Sequence, residues 1–144
     1  MTVCLLDANV LIAIIDTQHR YHAIATIWFE THRLDGWATC PLTQNATLRI
    51  IGNPRYNNSM QTPAAVVPYL VELVKLPAHV FWPDDVSLID DAAAPELIVR
   101  HDDVTDRSLL NLARAHDGIL VTFDRRIAKV ATPDCLPHLQ VLDL

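Results

Sequence analysis

Two short aliphatic runs limit what this chain can fold into: "VCLL" at residues 3–6 and "ILVT" at residues 119–122. Short apolar runs without polar alternation suit strands buried on both faces, and such strands belong to parallel sheets. Each run ends beside an aspartate. Asp7 follows the first directly, and Asp124 follows the second with only Phe123 between. A lone ionised carboxylate in an apolar interior is costly unless it is paired or bound to a metal. Asp7 must therefore emerge at the end of its strand or meet a partner, and the rest of the chain can be searched for one.

The segments between the two runs alternate in character. Helical periodicity covers Asn9 to about Arg33 with a break near Gln18, and Ile24, Ile27 and Trp28 form one apolar stripe. "GWATCP" reads as a strand stopped by Pro41, after which Thr43 is placed to cap a helix over Gln44–Ile51. Thr62 and Pro63 open a further helix to about Leu76, which Pro68 should kink or split. "HVFWP" is a strand, and a short helical stretch surrounds Pro95–Val99. Thr105 then opens a helix with Leu109, Leu112 and Ala113 facing inward, ended by Gly118. After "ILVTF" come a short helix over Arg125–Val130 and a last strand, "LQVLDL". Strands alternating with helices predict an α/β fold, a parallel sheet covered on both faces. With no repeat, linker or low-complexity tract, residues 1–144 read as one domain.

Composition narrows the setting. The hydrophobic fraction of 51% is ample for a core. Cys4, Cys40 and Cys135 are odd in number and lack metal-site spacing, as expected of reduced thiols in a cytoplasmic protein. No segment reads as a signal peptide, and no apolar run reaches the roughly 18 residues of a membrane span. The net charge of −6 argues against a non-specific nucleic-acid binder. The cations, however, are nine arginines and two lysines, and arginine's planar fork suits phosphate. An acidic protein still acts on RNA when its acids gather in a metal site ringed by arginines.

In a parallel sheet, ligands bind beyond the carboxyl ends of the strands, at the point where the strand order reverses. Asp7 and Asp124 stand at two such ends. Asp106 lies in the first turn of the helix after Thr105, where negative charge is favoured. Two unit charges about 4 Å apart repel by roughly 4 kcal/mol at an effective dielectric of 20. Three converging carboxylates therefore call for a cation, and a donor set of oxygens without cysteine or histidine points to Mg²⁺ or Mn²⁺. Any one of these aspartates taken alone also reads as a helix cap. Asn9 reads as a support for Asp7 or else as the cap of the first helix, and Thr122 as a β-former whose hydroxyl is able to hold a metal-bound water. His19 and His22 read as a solvated face, Asp102–Asp103 as solvated loop acids, and Trp28, Trp37 and Trp82 as core.

The stretches "LLDANVLI", "VTDRSLLNLA" and "LVTFDRRI", in this order and at these separations, resemble the PIN domain, and more narrowly the VapC-type toxins of bacterial toxin–antitoxin pairs. "TCPLTQNATLRIIGNP" fits the segment between them. The resemblance implies a three-layer α/β/α sandwich and a Mg²⁺-dependent endoribonuclease, with the acid positions on Asp7, Asp106 and Asp124. It also implies an antitoxin partner and a homodimer. One position departs. The family's further acid, a glutamate in the helix after the second strand, falls here on Gln44, which can support a water but brings no charge.

On this reading Asp7, Asp106 and Asp124 hold the metal and carry catalysis, with Asn9, Gln44 and Thr122 in support. Arg125, Arg126 and Lys129, together with Arg49, are the candidates to hold RNA phosphates. Two other readings stand beside it. One is a PIN domain weakened or silenced by the missing acid that works by binding a partner. The other is a phosphatase of the haloacid-dehalogenase type, whose motif wants a second aspartate where this chain has Asn9.

Overall fold

A computed structural model describes residues 2–143. Five strands form one sheet: β1 (Cys4–Leu6), β2 (Trp37–Thr39), β3 (His79–Phe81), β4 (Ile119–Thr122) and β5 (Leu139–Val141). Their spatial order is β3-β2-β1-β4-β5, and every neighbouring pair is parallel. Cys4 registers with Trp37 on one side and with Ile119 on the other, so β1 and β4 end side by side. The order reverses at this pair. From β1 the chain winds outward through β2 to β3, then returns across to β4. The cleft of such a sheet opens at this reversal.

Successive strand residues face opposite ways, and the two faces bury different sets. Leu5, Ala38 and Leu120 pack with Leu109, Leu112 and Ala113 of α5 (Val104–Ala115) and with Ile127 of α6 (Ile127–Val130). Leu6, Trp37 and Val121 pack with Val10 and Leu11 of α1 (Ala8–Ile15) and with Trp28 and Phe29 of α2 (His22–His32). Beside α1, Ile12 meets Ile51 of α3 (Pro41–Ile51) and Val66 of α4 (Pro63–Val74). The result is a three-layer α/β/α sandwich, as the alternating pattern predicts. All three tryptophans are buried. No helix among the described residues is long and apolar enough to cross a membrane.

Several boundaries differ from expectation, each for a local reason. Helix α3 starts at Pro41, not after Thr43. Pro41 takes the first turn, where its missing N–H is no loss, and the Thr43 hydroxyl accepts from the Cys40 backbone N–H at 3.1 Å. Helix α5 begins at Val104 with Asp103 at its cap position, so Thr105 is already inside it. Thr62 does cap α4, accepting from the Ala65 N–H, but Pro68 does not break that helix. Pro68 and Ala64 are exposed, so water can take up the Ala64 carbonyl that loses its partner. The last strand stops at Val141, and Leu144 lies outside the described residues. Asp103, expected in solvent, is buried, because it enters the start of α5.

The end of α5 also differs. The left-handed residue beyond this helix is Asp117, at φ 52°, not Gly118. Gly118 is required by close packing instead: an added Cβ would lie 2.6 Å from the Val3 carbonyl oxygen and 2.7 Å from the Trp82 ring. Gly118→Ala is therefore expected to cost about 1–3 kcal/mol through overpacking. Asp117→Gly, which relieves a left-handed side chain, should not lower stability. Urea unfolding of the two variants beside the parent checks both outcomes.

Candidate functional site

The question posed by Asp7 has a local answer first. Its backbone N–H still donates to the Val121 carbonyl at 2.9 Å, extending the β1–β4 ladder by one residue. Its φ of −62° and ψ of 155° make it the N-cap of α1. One carboxylate oxygen accepts from the Ala8 N–H at 2.7 Å and the other from the Thr122 hydroxyl at 2.8 Å. The buried carboxylate is thus paired on both oxygens. Burial still pushes its pKa above the ordinary value, with the charge of Asp124 adding to the shift and these two hydrogen bonds opposing it.

Thr122, fully buried at the end of β4, ties the site together. Its hydroxyl donates to Asp7 and accepts from the Asn9 side-chain amide at 3.0 Å and from the Asp124 backbone N–H at 3.0 Å. Asn9 also accepts from the Phe123 N–H at 3.2 Å. The first turn of α1 and the residues beyond β4 are thereby locked to one another, and the aspartates of both elements are set on one rim.

Asp124 bends back on its own chain. One oxygen accepts from the Arg126 N–H at 2.9 Å and from Nε at 3.2 Å; the other accepts from Nη2 at 3.1 Å. Burial pushes this carboxyl upward, but the Arg126 hydrogen bonds and charge outweigh burial and hold it below the ordinary range. Asp106, in the first turn of α5, has the opposite fate. Burial, then the charges of Asp7 and Asp124, push its pKa up to about 6, against the pull of Arg126. A carboxyl raised by neighbouring carboxylates, as Asp106 is, favours a cation, and a donor set made only of oxygen suits a hard divalent one. The arrangement is nonetheless open: among the described residues, no three His, Cys, Asp or Glu side chains stand grouped to hold an ion.

The remaining candidates are spread. The Gln44 amide donates to the Thr39 hydroxyl at 2.9 Å, at the end of β2, and Thr39 in turn meets His79 Nε2 at 2.8 Å. Gln44 is thus bonded beside the acid rim rather than to any of its three aspartates. Arg125 and Lys129 are exposed on the segment after Asp124, while Arg49 is exposed in the last turn of α3. His19 and His22 serve local bonds, to the Tyr21 N–H and the Ala13 carbonyl.

Two residues beside the site were not among the candidates. Asp103 is buried one helical turn before Asp106 and adds to its upward shift. The i, i+3 spacing in "DDVTD" carries that signal. Arg107, 1% exposed, donates to the Val130 carbonyl at 3.0 Å and to the Ala93 carbonyl at 2.8 Å. It pins the first turns of α5, with Asp106, to the end of α6. Only its place among inward-facing leucines hints at this role.

Residues 4–133 match the PIN domain family. The chain is 41% identical over 129 residues to "Ribonuclease VapC39" of Mycobacterium tuberculosis, covering 89% of this chain and 93% of that one. It is 39% identical over 130 residues to "Ribonuclease VapC44" of the same organism, covering 90% and 91%. For "Ribonuclease VapC38" the figures are 42% over 127 residues, 88% and 89%.

The raised pKa of Asp106 fixes a pH dependence of stability. The unfolded carboxyl titrates near the ordinary 3.8 and the folded one near about 6, so the folded state holds the extra proton between them. Stability therefore falls as pH rises through that window and levels off above it. Burial of Asp7 acts in the same direction. In chelator, Asp106→Asn should flatten this fall and melt no lower than the parent at pH 7. Thermal melts from pH 4 to 7 read it directly.

Proposed function

The chain belongs to the PIN-domain family, with the VapC ribonucleases as relatives, and from that premise we propose that it is a Mg²⁺-dependent endoribonuclease. We propose further that it is the toxin of a toxin–antitoxin pair and cuts a structured cellular RNA in the cytoplasm. The observation that carries this reading is the rim that brings Asp7, Asp106 and Asp124 together from three different elements, where the charges of Asp7 and Asp124 raise Asp106 and that of Asp124 raises Asp7.

These three aspartates would hold Mg²⁺, or Mn²⁺ in its place. The chemistry such an ion would supply there is activation of a water and neutralisation of charge developing on the phosphate. The chain's own residues do the rest. Thr122 and Asn9 hold Asp7 and the Asp124 backbone in register. Arg107 holds the first turns of α5, and so Asp106, against α6. Asp106, neutral below about pH 6, must lose its proton to serve as a ligand, so metal affinity should rise with pH through that value. Arg125, Arg126 and Lys129, next to the rim, receive flanking phosphates, with Arg49 further out. Gln44, fixed to Thr39, supports solvent without adding charge.

An antitoxin segment laid over the rim would cover the acids, and a homodimer is the expected assembly. A second reading, partner binding without cleavage, draws support from Gln44 and from the open arrangement of the acids.

Cleavage of total RNA with Mg²⁺ and with chelator, followed by mapping of the new ends, separates the two readings. Asp7→Asn, Asp106→Asn and Asp124→Asn should each lower cleavage at least about 100-fold while the protein stays folded. Cleavage at the parental rate by all three variants would remove the rim from the mechanism. A parent that cuts nothing with either metal, yet binds its antitoxin, establishes the second reading.

A further inference from the structure

The acid rim already has a cation of its own. Arg126 grips both oxygens of Asp124 through its backbone N–H, Nε and Nη2. Its charge also reaches Asp106 and Asp102. The other nearby arginines are turned elsewhere: Arg107 to carbonyls in the core, Arg100 to Asp102. We propose that Arg126 is the in-chain counter-ion of the acid rim, displaced from Asp124 when a divalent cation binds and thereby released to hold the RNA phosphate. This rests on the nuclease reading and adds to it a coupling between metal entry and substrate grip.

The argument is one of competition for lone pairs. Arg126 takes two lone pairs of one Asp124 oxygen, through its N–H and Nε, and one of the other, through Nη2, so a hard cation finds one lone-pair site left, beside a positive charge. A cation that is to use both oxygens must displace the fork. This accounts for the open arrangement: Asp7 is held by Thr122 and Ala8, Asp106 stands on α5, and Asp124 is turned to Arg126. The Arg126 side chain is 62% exposed and that of Asp124 23%, so water reaches the pair and screens it. A released guanidinium two residues from a metal ligand has the planar, bidentate geometry that phosphate favours.

The test measures metal binding without RNA. Mn²⁺ is titrated into the whole protein and free Mn²⁺ is read by electron paramagnetic resonance. Arg126→Gln should bind Mn²⁺ about three- to five-fold tighter than the parent, as expected for removal of an exposed ion pair. Arg125→Gln, which removes an equal charge one residue away, should change the affinity much less. In the Asp124→Asn background the gain from Arg126→Gln should vanish. At saturating Mg²⁺, Arg126→Gln should raise KM for an RNA substrate about ten-fold, and Arg126→Lys should raise it less. If Arg126→Gln binds Mn²⁺ no tighter than the parent, or Arg125→Gln gains equally, the displacement is wrong although the nuclease stands. A parent that binds no Mn²⁺ and cuts no RNA overturns both readings.

Discussion

The hydroxyl of Thr122 is the contact on which the rest of this rim depends. It donates one hydrogen bond to Asp7 and receives two, from Asn9 and from the Asp124 backbone. A hydroxyl has one proton and two lone pairs, so this set satisfies it fully and fixes its direction. Only one parallel register brings the two strand ends level, with Leu6 opposite Val121. A methyl group in place of that hydroxyl would leave Asp7 with a buried oxygen unpaired and free Asp124 to drift.

The same rim shows how one fold keeps three like charges close. Each aspartate is handled differently: Asp7 by hydrogen bonds, Asp124 by an arginine, and Asp106 by a raised pKa. On the proposed reading these remedies would differ in how readily they yield to a divalent cation. Buried, well-directed hydrogen bonds persist, an exposed ion pair exchanges, and a proton leaves as pH rises. On that reading the rim would be fixed on the β1 side and adaptable on the side of α5 and the segment after β4.

Positive charge divides in the same way. Arg107 spends its fork on two backbone carbonyls inside the core and acts on the position of α5. Arg126 lies at the surface and acts on charge. The two follow closely on Asp106 and Asp124, and sequence offers little to distinguish them; their surroundings do.

The sequence by itself determined the elements and their order. Short aliphatic runs, the apolar stripe of α5 and the cap at Thr62 are local patterns, and local patterns carry secondary structure. It also determined that Asp7, Asp106 and Asp124 sit at strand and helix ends, because each lies within two residues of the end of a readable element. Tertiary structure decided which residues distant in sequence meet, up to 115 residues apart. Thr122 reaches Asp7, Arg107 finds the Val130 and Ala93 carbonyls, and Asp103 is buried only because distant segments pack there. It decided the fate of Gln44 as well, which bonds Thr39 across the turn into α3. A pattern of apolar residues says which face of an element turns inward, but a polar side chain's partner depends on what the fold sets opposite it.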